Sequence, residues 1–416
     1  MQNARDPLSR LFLQLLVIIG VSRLTGQAFV RFGQPAVIGE MVAGILLGPS
    51  LFGLVAPRAF QFVFTAGSLP ALQLFSQIGV CLFMFAVGMD LDVSQVRQKA
   101  HTAIVVSHAS IIIPYFLGVA LALLLYRDFA QPGASFTSFA LFMGISMSIT
   151  AFPVLARILQ ERKLSKTPLG AAAISCAAVD DVTAWTILAF VVAVVRATSI
   201  ASTGCILVLV ILFVTLMLCV VKRHLSNWLG GERALERTEP GKGQLAAVIL
   251  VVVVSSLTTE LIGIHALFGA FLAGVIMPPI GDFRHKLSVR VEGISSVLLL
   301  PLFFAFTGLR TQIALLHDTR GWLICMSIIV VATAGKLGGS AVTARLTGMG
   351  WRESLQLGAL MNTRGLMELI ALNIGYDLGI LSPGIFTMLV VMALITTAMT
   401  GPLLTLFGGG NKADCA

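Results

Sequence analysis

The feature that most constrains this chain is a succession of apolar runs, each about 20 residues long, from residue 11 to residue 407. A helix needs about 20 mostly apolar residues to cross the hydrocarbon core of a bilayer. Charged residues make up 11% of the 416 residues, well below the roughly 25% of soluble domains. This composition excludes a soluble globular enzyme and, despite the net charge of +9, a nucleic-acid-binding chain. Because the runs are continuous rather than alternating, they predict an all-α polytopic membrane protein and exclude a porin-like barrel.

The apolar runs predict thirteen transmembrane helices. The ninth is short and nearly touches the eighth, so a count of twelve also stays open. The predicted spans are 11–30, 36–55, 69–90, 102–126, 136–160, 169–196, 200–221, 244–262, 265–279, 290–308, 321–344, 353–375 and 384–407.

The basic residues predict the orientation of these spans. With thirteen spans, one set of loops holds 17 Lys and Arg residues and the opposite set holds 7. Basic residues are enriched in cytoplasmic loops. We therefore expect a cell (inner or plasma) membrane protein with its N-terminus outside and its C-terminus in the cytoplasm.

The longest polar stretch divides the chain into two halves of similar size, which is typical of transporters built from inverted repeats. We expect a first half at 1–221, a cytoplasmic linker at 222–243, a second half at 244–407 and a short cytoplasmic tail at 408–416.

Two adjacent acids, Asp180 and Asp181, lie near the middle of one span, in AAISCAAVDDVTAWTILAF. An ionisable residue at that depth costs about 2.5–3.5 kcal/mol on insertion scales, so it needs a function or a partner. Adjacent helix positions point about 100° apart, so the two carboxylates cannot share one environment. One can be held by a structural partner while the other faces a water-filled cavity. Lys336, also deep in a span, must either be neutral or find an anion. The other deep ionisable residues that could supply one are Asp180, Asp181 and Glu368.

Two spans carry signs of an interrupted helix, one in each half. Pro153, in MGISMSITAFPVLARIL, removes a backbone donor next to Thr150. In GALMNTRGLMELIALNIG, the segment Asn362–Gly365 interrupts an apolar span, and Arg364 and Glu368 are four residues apart on one helix face. Broken helices in corresponding halves point to a transporter's central site, where helix ends supply partial charges for ions.

Motifs for a bound cofactor are absent from the sequence. It contains no Walker loop, no dinucleotide-binding GxGxxG and no HExxH or CxxC metal site, and its six cysteines show no paired spacing. We therefore expect no cofactor, no transition metal and no ATP-driven pumping within this chain.

The sequence resembles monovalent cation:proton antiporters, in the branch of Kef-type potassium efflux systems and plant cation/proton exchangers. The resemblance covers the membrane domain nearly end to end. The matching stretches are QPAVIGEMVAGILLGPS (34–50), SITAFPVLARIL (148–159), AAAISCAAVDDVTAW (171–185), GIHALFGAFLAGVIMP (263–278), LPLFFAFTGLRT (300–311) and MNTRGLMELIALNIG (361–375). It implies a sodium/proton antiporter-like fold with two crossed, interrupted helices, and elevator-type alternating access in a homodimer.

The resemblance also implies roles for individual residues. The second acid, Asp181, would bind the monovalent cation or a proton, with Thr150 at the same site. Asp180 would pair with Lys336, and Arg364 would stabilise the crossing of the broken helices.

Glu368 and Asn362 complete the set of charge-compensating or coupling residues. The Asp-Asp pair departs from the Asn-Asp pair usual in plant exchangers, so the choice between K⁺ and Na⁺ stays open. The alternative function is a cation channel or an ion-sensing membrane protein on the same fold. Two stoichiometries also stay open: Lys336 either releases a proton during exchange or keeps its charge throughout.

Overall fold

The computed structural model describes residues 7–90, 100–197, 200–231, 235 and 240–408. Within these ranges the regular secondary structure is helical, apart from one isolated antiparallel bridge between Ala130 and Leu381. The predicted all-α fold is therefore confirmed. The predicted tail beyond Gly408 and linker residues 232–234 and 236–239 lie outside the described residues, as do Arg97 and Lys99 of the charge count.

The described helices follow one another along the chain with short connections. They are α1 (Pro7–Arg31), α2 (Ala36–Leu47), α3 (Phe52–Val55), α4 (Pro57–Val63), α5 (Leu69–Asp90), α6 (Ala100–Phe129), α7 (Phe136–Ser148), α8 (Phe152–Glu161), α9 (Pro168–Arg196), α10 (Ile200–Leu216), α11 (Lys222–Trp228), α12 (Lys242–Ile262), α13 (Ala266–Val275), α14 (Phe283–Ile294), α15 (Leu300–Arg310), α16 (Thr319–Thr333), α17 (Gly339–Leu346), α18 (Trp351–Met361), α19 (Leu366–Asp377) and α20 (Pro383–Gly408).

Three single π-helical turns join consecutive helices into longer rods. They are Met217–Val221 between α10 and α11, Ser295–Leu299 between α14 and α15, and Ala334–Gly338 between α16 and α17. Single π-turns inside helices are frequent at functional sites. The third turn contains Lys336.

Eleven segments of the described chain are long and apolar enough to cross a membrane. The two predicted spans outside that set are 265–279 and 353–375. The first appears as the ten-residue helix α13, and the second as two short helices, α18 and α19, separated by four residues. The chain is thus a multi-pass membrane protein, and these shorter elements account for the difference from thirteen.

The helix ends follow local sequence signals. Ser135 caps α7, because its hydroxyl accepts a hydrogen bond from the Ser138 amide at 3.1 Å. Asp318 caps α16 in the same way, accepting from the Gly321 amide at 2.8 Å. Gly263 ends α12 with a φ of 100°, a left-handed conformation that glycine adopts without strain.

The chain forms two compact units, and each draws on both the first and the second half of the sequence. The first comprises the described parts of 1–65, 93–187 and 304–416. Its helices approach closely where glycines meet: a Cβ atom at Gly44 would lie 2.0 Å from the Phe304 carbonyl oxygen, and Gly308 lies against Gly44 as tightly. Side chains larger than hydrogen would separate α2 from α15. This unit contains all the predicted site residues.

The second unit comprises the described parts of 66–92 and 188–303. Buried serines link its helices, since the Ser295 hydroxyl donates to the Gly79 carbonyl at 3.1 Å and the Ser255 hydroxyl donates to the Gly269 carbonyl at 2.6 Å. Glu260 accepts a hydrogen bond from the Ala266 amide at 2.8 Å and so caps the first turn of α13. These contacts provide hydrogen bonds for polar groups that would find no partner in the hydrocarbon core of a bilayer.

Candidate ion-binding site

The first interrupted helix breaks where the sequence predicts. Helix α7 ends at Ser148, Ile149 has the extended ψ of 135°, and α8 begins at Phe152 with Pro153 in its first turn. Proline is well tolerated in a first helical turn, where its missing N–H leaves no partner unsatisfied. The break therefore exposes the last carbonyls of α7 and the first amides of α8.

The second interrupted helix breaks between Met361, which ends α18, and Leu366, which begins α19. Gly365 has a φ of 154°, and a Cβ atom there would lie 3.1 Å from Val154 in α8. Glycine suits this position for two reasons. Any other residue would strain the backbone at this φ, and its side chain would push the two broken helices apart.

The two breaks contact each other directly. The Ala151 amide donates to the Thr363 carbonyl at 2.9 Å, and the Thr150 hydroxyl donates to the Met361 carbonyl at 3.1 Å. Each break thus satisfies backbone groups that the other leaves free. Thr150 keeps its hydroxyl oxygen lone pairs for a further ligand.

Arg364 joins the second break to the end of α7. Its guanidinium donates to the Ser146 carbonyl at 2.8 Å and to the Met147 carbonyl at 2.6 Å, and pairs with Glu368 at 3.2 Å. The side chains of Arg364 and Glu368 are fully buried. Because the C-terminal end of a helix carries partial negative charge, the Arg364 cation stabilises the broken end of α7 as well as Glu368.

Lys336 and Asp180 form a second buried ion pair, with 2.9 Å between Nζ and Oδ2. The Lys336 ammonium also donates to the Ser110 carbonyl at 2.9 Å, to the Ser110 hydroxyl at 3.2 Å and to the Ser148 carbonyl at the end of α7. Asp180 Oδ1 accepts hydrogen bonds from the Ser110 hydroxyl at 2.9 Å and the Ser107 hydroxyl at 3.4 Å. Both charged groups therefore have their hydrogen-bonding capacity largely filled.

Asp181, the neighbouring acid, is 1% exposed and lies in a different environment. Among the described residues, no group forms a hydrogen bond of ordinary geometry with either carboxylate oxygen. The Phe152 amide at the start of α8 is close enough to interact with it electrostatically. The positive end of a helix thus faces a carboxylate that no cationic side chain pairs with in the described chain.

Besides Asp181, the predicted site residues fall into three groups. Asp180, Lys336, Arg364 and Glu368 form the two ion pairs, and both pairs contact carbonyls at the end of α7. Thr150 lies in the crossing itself. Asn362 is fully buried beside the crossing, but its side-chain amide makes no hydrogen bond within the described residues, so its coupling role has no contact to support it.

Two serines of α6 were missed by sequence reasoning. Ser107 and Ser110 are three residues apart and therefore share one helix face, where both hydroxyls are fully buried and reach Asp180. The signal was present in AIVVSHASIII as two hydroxyls at helical spacing in an apolar run.

The buried contacts of Arg364 predict a large loss of stability in Arg364→Gln. Removing one partner of a buried ion pair typically costs about 3–5 kcal/mol, because the other charge is left uncompensated. Here Glu368 and two carbonyls of α7 would lose their donor. We expect a clearly lower melting temperature in detergent, measured by tryptophan fluorescence, whereas the exposed Arg127→Gln should melt like the wild type. Equal melting of all three proteins would contradict this role.

Comparison with known proteins identifies the family. The family described as "Sodium/hydrogen exchanger, transmembrane" matches residues 16–407. The Na⁺/H⁺ antiporter NhaS4 of Synechocystis is 44% identical over 390 residues, covering 94% of this chain and 95% of its own. The K⁺/H⁺ antiporter 1 of Saccharomyces cerevisiae is 32% identical over 408 residues, covering 96% of this chain but 46% of its own, so this chain spans about half of that relative.

A solved structure has the same fold. The sodium proton antiporter MjNhaP1 from Methanocaldococcus jannaschii superposes with a TM-score of 0.69, covering 94% of this chain and 96% of its own, at 11% sequence identity. The predicted sodium/proton antiporter-like fold is therefore confirmed, and so is the resemblance drawn from the motifs. The chain belongs to the sodium/hydrogen exchanger family of membrane transporters.

Proposed function

We propose that this protein is a secondary active antiporter that exchanges a monovalent cation, Na⁺ or K⁺, for H⁺. The observation that carries this proposal is the environment of Asp181, a buried carboxylate with no cationic partner among the described residues, beside an Asp180 already paired with Lys336. The relatives named as Na⁺/H⁺ and K⁺/H⁺ antiporters support the same conclusion.

The proposed mechanism is competition for one carboxylate. Lys336 compensates the charge of Asp180, and Arg364 compensates that of Glu368, so Asp181 is the acid whose charge must be balanced by a mobile ion. A proton or a desolvated monovalent cation can do so, and each displaces the other. The Thr150 hydroxyl oxygen and carbonyls beside the breaks would supply further neutral oxygen ligands.

Transport also requires the site to face each side of the membrane in turn. We propose elevator-type alternating access in a homodimer, as the family resemblance implies. A cation channel on the same helices is disfavoured, because the relatives are antiporters and the sequence has no repeated carbonyl filter motif such as TVGYG. An ion sensor would lack the flux that the next experiment measures.

Reconstitution into liposomes tests the proposal. With an acidic lumen and a pH-sensitive dye inside, external Na⁺ or K⁺ should raise the luminal pH in a saturable way, and a scan of Li⁺, Na⁺, K⁺ and Rb⁺ would identify the substrate. Carboxylate and carbonyl oxygens bind both Na⁺ and K⁺, so selectivity depends on the geometry of the site. Cation flux that is independent of the pH gradient would indicate a channel, and absence of any flux would reject both.

The 17-to-7 distribution of basic residues predicts the topology, with the N-terminus outside and the linker in the cytoplasm of a cell (inner or plasma) membrane. In a background without the six native cysteines, Asn227→Cys at the end of α11 should resist a membrane-impermeant maleimide in intact cells. Pro132→Cys, in the loop between α6 and α7, should react. The reverse pattern would invert the proposed orientation.

A further inference from the structure

An open cavity, separate from the candidate ion-binding site, lies in the first unit where α1, α2 and α8 meet. Its volume is about 390 Å³. Its lining is rich in hydrogen-bond donors and contains one acid. The lining residues are Ser22, Arg23, Gly26, Gln27, Val30, Arg31, Ala36, Glu40 and Arg157.

The spacing of these residues explains why they converge. Arg23, Gln27 and Arg31 are four residues apart along α1 and therefore share one face of that helix. Helix α2 packs tightly against α1, because a Cβ atom at Gly39 would lie 2.6 Å from the Thr25 carbonyl oxygen. The close backbone approach leaves the long polar side chains to line a cavity.

The charges of the cavity favour an anion. Arg157 forms a salt bridge with Glu161 at 3.1 Å, and Arg23 interacts electrostatically with Glu40, which is 7% exposed. No side chain in the described part of the protein forms a salt bridge with Arg31. Glu161 is not part of the lining, but even when it is counted with Glu40 the three guanidinium groups exceed the two carboxylates by one positive charge.

A buried hydroxyl provides an independent sign of a ligand. Ser22 is 1% exposed, lines the cavity, and its hydroxyl has no hydrogen-bond partner in the described structure. A buried polar group without a partner is unfavourable, so this hydroxyl needs an acceptor in the cavity. Ser22, Gln27 and the guanidinium groups together present donors to one cavity that is open to the surface.

The position of the cavity, near one end of α1, indicates that it lies close to the bilayer surface. Arg31 is the last residue of α1, and Arg23 lies two turns earlier, about 12 Å along the helix axis. Large apolar side chains are exposed on α1 and directly after it, including Leu24, Val30 and Phe32. Basic pockets between membrane helices near the bilayer surface bind phospholipid head groups.

We propose that this cavity is a binding site for a phosphodiester group, and that its ligand is the head group of an anionic phospholipid. One phosphodiester carries a single negative charge, which matches the excess positive charge of the cavity. Guanidinium groups bind phosphate oxygens bidentately, and the Ser22 hydroxyl would donate to one of the two non-bridging oxygens of the phosphodiester. The acyl chains would lie along the exposed apolar side chains of α1. Free inorganic phosphate offers the same chemistry without the acyl chains.

The proposal is tested on the full-length protein in neutral detergent. Melting temperature is followed while dioctanoyl phosphatidylglycerol, dioctanoylglycerol or inorganic phosphate is added. We expect phosphatidylglycerol to raise the melting temperature in a saturable way, whereas dioctanoylglycerol, which has the same chains without phosphate, should have little effect. This readout is independent of ion transport, so its failure would leave the proposed exchange function untouched.

Matched variants distinguish lipid binding in the cavity from general electrostatic attraction between the lipid and the protein. Arg23→Gln/Arg31→Gln should weaken the apparent affinity for phosphatidylglycerol by about tenfold or more. Arg58→Gln/Arg127→Gln removes two exposed arginines elsewhere and should keep it. Ser22→Ala should weaken it less than the double variant, without altering charge.

Each remaining outcome decides against part or all of the proposal. Equal affinity of the Arg23→Gln/Arg31→Gln variant and the wild type would overturn it, as would absence of saturable binding of any phosphate compound. Inorganic phosphate that binds as tightly as the lipid, and is lost in the same variant, would keep the phosphate site and reject the lipid as its source.

Discussion

Replacing Asp181 by asparagine should abolish cation:proton exchange while the protein stays folded. The substitution keeps the size of the side chain but removes both the titratable proton and the negative charge that a cation must balance. Its structural cost should be small, because no hydrogen bond of ordinary geometry in the described residues depends on the Asp181 carboxylate. We expect cation-dependent luminal pH changes in liposomes to fall to the rate of protein-free vesicles, with an unchanged elution profile in size-exclusion chromatography.

A matched control distinguishes the loss of the ion-binding carboxylate from the general effect of removing one negative charge. Asp128→Asn removes an exposed carboxylate whose partner is Arg320, and exposed ion pairs contribute about 0–1 kcal/mol. This variant should exchange ions like the wild type. Wild-type-like exchange by Asp181→Asn would reject the assignment of the ion-binding site, whereas loss of exchange in both variants would point to a defect in reconstitution.

The location of the candidate site could be predicted from the sequence because membrane helices rarely contain ionisable residues. Asp180, Asp181, Lys336 and Arg364 stand out in apolar runs, and Pro153 marks one of the breaks. Physical reasoning could say that adjacent acids must differ in environment. It could not say which acid pairs with Lys336, since that depends on contacts between residues more than 150 positions apart.

The partners of the charged groups were less predictable. Arg364 binds backbone carbonyls of α7, and any residue type supplies a carbonyl, so the sequence carries no signal for this contact. Serines are common in membrane helices, where they often bond to their own backbone, so Ser107 and Ser110 did not stand out. Helix α13 has ten residues, and hydropathy alone could not show whether the apolar run at 265–279 forms a full span or a short helix.

Both ion pairs meet at one structural element, the C-terminal end of α7. Lys336 contacts the Ser148 carbonyl, and Arg364 contacts the two preceding carbonyls, so two buried cations face the partial negative charge of this helix end. Asp181 faces the opposite, positive end of the break at Phe152. The break therefore places the compensated charges of the two ion pairs at one helix end and Asp181 at the other.

The stoichiometry of exchange should depend on the protonation of Lys336. In the described part of the chain, all four groups that contact its ammonium act as acceptors, so the structure corresponds to charged Lys336 paired with Asp180. A cation that binds at the adjacent acid brings a like charge near this buried ammonium, and two unit charges about 5 Å apart repel by about 3 kcal/mol at an effective dielectric constant of 20. We expect Lys336 to release its proton as the cation enters, so that two protons exchange for one cation.

Such exchange is electrogenic, and a membrane potential of 100 mV would bias it by about 2.3 kcal/mol per net charge. Solid-supported-membrane recordings should therefore show a transient current in the wild type. Lys336→Gln leaves Asp180 without its cation, which should cost about 3–5 kcal/mol of stability, so its melting temperature is measured beside its transport. In the folded variant the current should disappear while proton-coupled cation flux continues, because Asp181 still exchanges one proton for one cation. The exposed Lys166→Gln makes the same charge change outside the site and should keep the current. Measurable flux without current in the wild type would show instead that Lys336 stays charged throughout and that exchange is one for one.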